Sequence, residues 1–168
     1  MEEKTSDKHK FQEDSGMTFE EVYNFAYKGY IGLMQALAKE LGGDSFLEAL
    51  KRAASQSAAQ GAKKEAEDAP SNDLGAFTAE VRDRNRFWKH VLSLDIVEDT
   101  ETAFEVKVTE CIWAKTFREE NAADIGYATV CHQDFAVCQA FNPKIRMIRT
   151  KTLMQGDDCC NHRWVWEE

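Results

Sequence analysis

The chain has 168 residues, 43% of them hydrophobic and 30% charged, which is typical of one soluble globular domain with its own hydrophobic core. Its net charge of −9 comes without a basic stripe, so a phosphate backbone would be repelled and nucleic acid is excluded as the expected partner. No apolar run approaches the ~20 residues that a membrane helix needs, and we expect no membrane partner.

The start of the sequence, MEEKTSDKHKFQEDSG, is polar and lacks the apolar segment of a signal peptide. We therefore expect a cytoplasmic protein whose thiols stay reduced. Residues 1–16 are predicted to be a disordered tail, and residues 17–168 a single domain. The five cysteines are odd in number and irregularly spaced, which argues against a disulfide framework and leaves thiol chemistry, metal ligation or core packing.

The first predicted helix begins with a capping box, in which Thr18 is the N-cap and Glu21 follows three residues later. It ends near residue 41, where the Gly42-Gly43 pair stops it. Helical spacing predicts a buried stripe that includes Val22, Phe25, Ile31, Leu33 and Leu41.

Two further helices are predicted before the strands. The second is capped by Asp44 or Ser45, and its small-residue end fades into a loop near residues 61–72. The third starts at Asn72 or Asp73 and covers residues 74–90. His90 lies at its end, where an imidazole interacts favourably with the helix dipole.

Two strands are predicted next, over residues 92–98 and 103–113. The second strand alternates, with an apolar face made of Phe104, Val106, Val108 and Ile112. Glu110 falls on this apolar face, where an unpaired carboxylate costs several kcal/mol. Either a β-bulge changes the register or Glu110 has a buried partner.

The C-terminal half predicts a cysteine-bearing helix followed by a β-hairpin. The helix covers residues 121–141 and ends before Pro143, which cannot continue it. Strands over residues 144–154 and 159–166 are joined by a four-residue turn at Gly156, so they should pair antiparallel. In the predicted order, helices come first and are followed by strands that a helix interrupts. This order indicates an α+β fold with N-terminal helices packed on an antiparallel sheet.

Candidate catalytic residues lie on that helix and on the last strand. Cys131 and Asp134 are three residues apart, so their side chains share the apolar helix face. A carboxylate there holds a cation or acts as a general base, unless Asp134 lies at the edge of the stripe and reaches water or an arginine. A nucleophilic Cys131 would need a base from elsewhere, for which His162 is the best candidate. Cys131 is otherwise a small buried hydrophobe.

Arg149 is a second anomaly, because it lies between apolar residues on one face of the predicted strand over residues 144–154. An inward guanidinium either pairs with Asp134 or Glu110, or binds a ligand carboxylate in bidentate fashion. Both alternatives are open from the residues alone.

Motifs for other chemistries are missing: the sequence has no GxGxxG, GxxxxGK[ST], GxSxG or HExxH. The residue types of Cys131, Cys138, Cys160 and His162 fit a metal site, but the sequence has no CxxC pair. We therefore expect neither a metal nor a cofactor.

Residues 104–166 resemble the L-2-amino-thiazoline-4-carboxylic acid hydrolase family. The resemblance is carried by CIW at 111–113, GYATVCHQD at 126–134, FNP at 141–143, RTKTL at 149–153, and GD at 156–157 with Cys160 and Arg163. The GDxxC hairpin is also similar to 4-vinyl reductase and TRAPP-like small-molecule-binding domains. Those domains usually carry a cysteine four residues before the glycine, where this chain has Thr152, which argues against a two-cysteine metal site.

The resemblance implies hydrolytic opening of a cyclic amidine that carries a carboxylate. In that interpretation Arg149 binds the carboxylate, Asp134 pairs with the amidinium or activates water, and Cys131 attacks the amidine carbon or packs beside it. Aromatic side chains would form the walls and exclude water, namely Trp113, Phe135 and Trp164.

Two other functional classes remain open. The domain is alternatively a non-catalytic small-molecule-binding or sensory module, which ligand-induced thermal stabilisation without product would reveal. The third alternative is an assembly protein in which the aromatic residues of the first half form a homodimer face.

Overall fold

The computed structural model describes residues 16–83 and 87–167. The helices are α1 (Phe19–Leu41), α2 (Gly43–Asp68), α3 (Leu74–Arg82), α4 (Trp88–Val91), α5 (Ile112–Glu119), α6 (Ala123–Gly126) and α7 (Asp134–Phe141). The described residues also contain a π-helix (Tyr127–Cys131) and a 3-10 helix (Leu153–Gln155). The strands are β1 (Leu92–Asp99), β2 (Ala103–Cys111), β3 (Ile145–Ile148) and β4 (Cys160–Trp166), and they form one antiparallel sheet in the order β1-β2-β4-β3. The predicted α+β fold is confirmed.

Helix α1 has the predicted capping box, since the Thr18 side chain accepts from the Glu21 amide and Glu21 accepts from the Thr18 amide. Of its predicted buried stripe, Ile31 is buried, whereas Phe25 is 86% exposed and Val22, Leu33 and Leu41 are also exposed. Tyr23, which was not part of the predicted stripe, is buried. Helix α1 has large apolar side chains on more than one face. The face that packs against the rest of the domain is the one that contains Tyr23, Tyr27 and Ile31.

Two predictions for helix α2 are wrong, its N-cap and its C-terminal end. Its N-cap is Gly42, and no side chain caps it, so Asp44 and Ser45 lie inside the helix. It continues to Asp68 through the predicted loop, because alanine, lysine and glutamate are strong helix formers that outweigh one glycine at Gly61.

Helix α3 begins as predicted, with the Asp73 carboxylate accepting from the Ala76 amide at 2.8 Å. It ends at Arg82, and His90 belongs to the separate helix α4. The predicted tail, residues 1–16, lies outside the described residues except for Gly16, and so does the middle of the predicted third helix, residues 84–86.

The β-bulge that Glu110 suggested is present. Leu94 pairs with Val108 and Ser93 pairs with Glu110, so Thr109 is an extra residue on β2. The bulge turns Glu110 outwards, where it is exposed and accepts a hydrogen bond from Ser93.

Strand β2 ends at Cys111, two residues earlier than predicted. Cys111 is the N-cap of α5, and its Sγ accepts from the Ala114 amide at 3.5 Å. Ile112 and Trp113 therefore belong to a helix, although their residue types favour a strand.

The β3–β4 pair is antiparallel as predicted, but its connection is much longer than four residues. The regular strand β3 ends at Ile148, and residues 149–159 lead to β4. Gly156 lies in this connection with φ of +101°, a left-handed conformation that favours glycine.

Within the described part of the chain, most of the buried hydrophobic residues form two clusters. The first lies between the sheet and helices α2, α3 and α7; it includes Ala62, Phe104, Val106, Cys138, Ile145 and Trp164. The second joins α1, α5 and α6; it includes Ile31, Ala114, Phe117, Ile125 and Met154. Cys111 and Leu153 pack against both clusters and mark the border between them. Among the described residues, no helix combines the length and apolar character needed to span a membrane.

Candidate functional site

A break in helical geometry places Cys131 and Asp134. The π-helix ends at Cys131 with a hydrogen bond from the His132 amide to the Tyr127 carbonyl at 2.8 Å, and α7 starts at Asp134. Short π-helical segments occur frequently at functional sites. At the end of the π-helix, the carbonyl of Cys131 accepts a hydrogen bond from Arg149 Nη2 at 2.8 Å.

Arg149 forms an ion pair with Asp134, which was one of the two alternatives predicted for it. Nη1 donates to Asp134 Oδ2 at 2.7 Å, and the guanidinium carbon lies 4.9 Å from the centre of the Phe135 ring. The guanidinium also lies 5.8 Å from the Tyr127 ring. Because the Arg149 side chain is only 2% exposed, a ligand carboxylate would have to compete with Asp134 for its donors.

The connection between β3 and β4 holds Arg149 in position. Asn161 on β4 accepts from the amides of Thr150 and Lys151 through Oδ1, at 3.0 and 2.7 Å. Further along, the Asp157 carboxylate accepts from the Thr152 amide at 2.7 Å. The guanidinium is therefore anchored by backbone bonds on its C-terminal side as well as by its own donors.

Asp134 combines deep placement with access to solvent. Its carboxyl pKa is raised from 3.8 to about 6, because desolvation outweighs the opposing effect of Arg149. The side chain nevertheless remains 34% exposed. Such a carboxylate is mostly ionised at neutral pH and is more basic than an ordinary aspartate.

His162 completes the polar cluster but is a poor base. Arg149 Nη1 lies 3.5 Å from its Nε2, and a guanidinium can only donate, so this contact requires an unprotonated Nε2. Burial and the Arg149 charge lower the pKa of His162 to about 3. The imidazole is therefore neutral at physiological pH.

The thiols near this cluster stay protonated. Burial raises the pKa of Cys131 far above its usual range, and the neighbouring Asp134 raises it further. Burial also raises the pKa of Cys111 to about 11 and increases that of Cys160. A thiolate is the reactive form of cysteine, so Cys131 is not activated by these surroundings. Cys138 is fully buried in the first core cluster.

The three predicted aromatic walls lie in different places. Phe135 covers Arg149, and Trp164 meets the His162 ring edge-on at 5.6 Å. Trp113 contacts Tyr23 at 6.1 Å and Phe87 at 6.0 Å, in the aromatic layer beside α1.

The geometry thus brings Cys131, Asp134, Arg149 and His162 together, with Phe135 and Trp164 beside them. Their predicted roles in catalysis and substrate binding stay predictions. Within residues 16–83 and 87–167, no group of three or more His, Cys, Asp or Glu side chains is arranged to hold a metal ion.

An open cleft of about 790 Å³ lies on another side of Cys111. Its lining mixes charged with apolar groups, among them Lys89, Glu110, Lys115, Arg118, Cys111 and Leu153. The Asp134–Arg149 pair is not part of that lining, so the cleft and the polar cluster are separate features with Cys111 as a common neighbour.

Sequence reasoning did not identify Tyr127, Asn161 or the π-helix as parts of the site. Tyr127 belongs to a motif that carried the family resemblance, which was the available signal. Asn161 alternates with Cys160 and His162 on the last strand, and a polar residue at such a position carries no specific signal.

Comparison with known proteins places this arrangement in context. The fold is similar to the phenol-responsive sensory domain of the transcription activator PoxR, with a TM-score of 0.55, 13% identity, and coverage of 82% of this chain and 73% of that one. It is also similar to trafficking protein particle complex subunit 3 from Naegleria fowleri, solved covalently bound to palmitic acid, with a TM-score of 0.51, 12% identity, and coverage of 89% and 95%. At such identities these likenesses concern the fold alone.

No curated protein matches the chain. A family model, described as L-2-amino-thiazoline-4-carboxylic acid hydrolase, matches residues 23–164. The match spans most of α1 and continues to Trp164 on β4, and so contains the whole polar cluster. The chain belongs to the L-2-amino-thiazoline-4-carboxylic acid hydrolase family.

Proposed function

We propose that this domain binds a small cyclic amidine that carries a carboxylate and opens its ring by hydrolysis, with Asp134 as the catalytic group. The observation that carries the proposal is a desolvated but accessible carboxylate with a pKa of about 6, held by a buried arginine. Membership of the family supports the choice of substrate class.

Asp134 suits both binding and proton transfer. Arg149 holds Oδ2, which leaves Oδ1 to accept from an amidinium N–H or from water. As a general base, Asp134 removes a proton from the water that attacks the amidine carbon. It then returns that proton to the ring nitrogen as the C–N bond breaks, so the carboxylate is regenerated.

Attack by water is favoured over attack by Cys131. The Cys131 thiol would need a base to remove its proton, and His162 is a poor base because its pKa is only about 3. The raised pKa of the Cys131 thiol also keeps it protonated and therefore a weak nucleophile. In this mechanism Cys131 contributes its carbonyl, which binds Arg149 and so fixes the guanidinium that orients Asp134.

Turnover of L-2-amino-thiazoline-4-carboxylic acid tests the proposal. We expect Asp134→Asn to lower kcat by at least ~100-fold, which is typical of losing a general base, and Cys131→Ser to keep kcat within a few-fold of wild type. Asp99→Asn is the matched control, because Asp99 pairs with Arg82 in an ion pair outside the polar cluster. Wild-type rates in Asp134→Asn would refute the role of Asp134, and loss of turnover in Cys131→Ser alone would favour the thiol.

A binding or sensory function is the second candidate, and the electrostatics of the site favour it. Cys131 and His162 are both uncharged at neutral pH, so the site has no activated nucleophile before a ligand enters. Such a domain would be stabilised by the thiazoline ligand, with a higher Tm and no product.

A homodimer is the third candidate. The exposed side of α1 carries large apolar residues: Val22, Phe25, Leu33 and Leu41. If this surface is a dimer face, Phe25→Glu should halve the mass measured by light scattering; a monomeric wild type would refute it.

A further inference from the structure

Helix α1 has a second stripe of apolar residues, which lies on the surface of the domain. Its inner stripe packs on the second core cluster through residues that include Tyr27 and Ile31. The outer stripe, on the opposite side of the helix, includes Val22 and Phe25, which are 47% and 86% exposed, and Leu33 beside them is 57% exposed. A helix that is apolar all round is typical of a helix that is covered on every side. The outer stripe therefore requires a cover that a single chain does not supply.

Two glycines at the centre of the outer stripe point to the kind of cover. Gly29 and Gly32 lie inside α1, where glycine is unfavourable. A Cβ added at either position would meet nothing within 4 Å, and neither glycine has a positive φ. The fold of one chain therefore does not require glycine here, whereas the close approach of another backbone does.

The outer stripe is complementary to itself when two copies run antiparallel. Its members recur at heptad spacing, at positions 22, 25, 29, 32, 36 and 39. The large side chains of Val22 and Phe25 come first, and the small residues Gly32 and Ala36 follow. An antiparallel pair that crosses at the glycines places Phe25 against Ala36 of the second copy. A parallel pair would instead place Phe25 against itself and leave a gap at the glycines.

The charges at the two ends of α1 favour the same arrangement. Glu21 and Lys39 are 18 residues apart, about five full turns, so they lie on the same side of the helix. An antiparallel pair brings Glu21 of one copy close to Lys39 of the other, whereas a parallel pair brings like charges together. In the part of the chain that the structure describes, Lys39 forms no ion pair of its own.

We propose that α1 packs antiparallel on α1 of a second copy of this chain, with the two helices crossing at Gly29 and Gly32. The proposal rests on the homodimer named above as a candidate and specifies its surface and its register. A helix of 23 residues offers a contact strip of roughly 35 by 10 Å. This is less than the ~800 Å² that each partner buries in a standard interface, so we expect a reversible dimer with a Kd on the order of 10 μM.

Sedimentation velocity over a range of concentrations tests whether the copies pair closely. Wild type should change from monomer to dimer between about 1 and 100 μM. Gly29→Leu introduces a strong helix former and adds apolar surface, but its side chain prevents close approach and should raise the Kd about 30-fold. Gly61→Leu is the matched control, because Gly61 on α2 also has open space around it. It should dimerise as wild type does, and thermal melts verify that both variants are folded.

Cysteine cross-linking tests the register. Val22→Cys and Lys39→Cys introduce thiols that lie about 26 Å apart on one helix but face each other across the antiparallel pair. An equimolar mixture of the two variants should form a disulfide-linked dimer under mild oxidation, visible on a non-reducing gel. Neither variant alone should do so, and wild type measures the background from the native cysteines.

Four outcomes would overturn the proposal. A wild type that stays monomeric up to 100 μM would refute the homodimer, and the stripe would then be covered by a different partner or by the preceding residues of the same chain. A tighter dimer in Gly29→Leu would indicate non-specific hydrophobic association. Cross-linking of Val22→Cys alone would indicate a parallel pair. A dimer whose mixture does not cross-link would refute this surface and leave the homodimer standing. Turnover enters none of these measurements, so the hydrolase proposal is tested separately.

Discussion

Asp134 should affect stability with the opposite sign from an ordinary ion-paired aspartate. Its folded-state pKa of about 6 lies above the ordinary value of 3.8, so the folded protein binds this proton more tightly than the unfolded chain. The contribution of Asp134 to stability is therefore fully present below about pH 4 and is lost as the pH rises through 6. Asp134→Asn cannot titrate, and its stability lacks this component.

The size of the effect follows from the pKa and from the exposure of the side chain. The difference between 3.8 and about 6 corresponds to about 3 kcal/mol if the carboxylate is fully shielded. Because the side chain is 34% exposed, solvent screening reduces this to about 1–2 kcal/mol. The free energy of unfolding of wild type minus that of Asp134→Asn should decrease by this amount between pH 4 and pH 7.5.

Urea unfolding of both proteins at several pH values measures the difference, and the contributions of all other carboxylates cancel in it. Asp99→Asn provides the control of opposite sign, because the hydrogen bond from Arg82 lowers the pKa of Asp99. The stability difference between wild type and Asp99→Asn should increase with pH. If the Asp134 difference also increases with pH, the ion pair outweighs burial and the argument for a basic Asp134 fails.

Three further predictions concern the surroundings of the pair. Arg149→Met should lower the free energy of unfolding by about 3–5 kcal/mol in urea, because it leaves a buried carbonyl and a carboxylate without their donor. Gly126→Ala should cost about 1–3 kcal/mol in the same assay, since the added Cβ would lie 2.6 Å from Met154 Sδ, whereas Gly61→Ala meets nothing within 4 Å and should be neutral or stabilising. Iodoacetamide should label Cys131 slowly at pH 7.5, as followed by mass spectrometry; labelling as fast as in the urea-unfolded protein would contradict its raised pKa.

The sequence predicted the parts of the site that depend on misplaced polarity. A carboxylate at position 134 and a guanidinium at position 149 both interrupt apolar patterns. Because a buried charge is costly unless it is paired, two such residues of opposite charge are expected to form an ion pair. Their ion pair at 2.7 Å is the simplest solution to both anomalies. The α+β class followed in the same way, from the order of helical and alternating segments.

Features that depend on hydrogen-bond geometry rather than on polarity were not predictable. The π-helix that ends at Cys131 does not change the spacing of apolar residues, so a continuous helix fitted the sequence equally well. The cap formed by the Cys111 thiol does not change it either, so a longer strand also fitted. The buried side of α1 also depended on its partners, because Tyr23 and Phe25 are both large and apolar and only packing against α5 selects between them.

The two anomalies and the helix break together explain why the site lies where it does. The polar cluster lies close to the border between the two core clusters, with Cys131 packed on one and Phe135 on the other. At this border the Cys131 carbonyl, at the end of the π-helix, accepts from Arg149, whose side chain comes from the β3–β4 connection. Arg149 then requires a counter-charge, and Asp134 at the start of α7 provides it. Arg149 engages Oδ2 of this carboxylate, and the Asp134 side chain remains 34% exposed, so the pair is anchored in the core without being closed off from solvent.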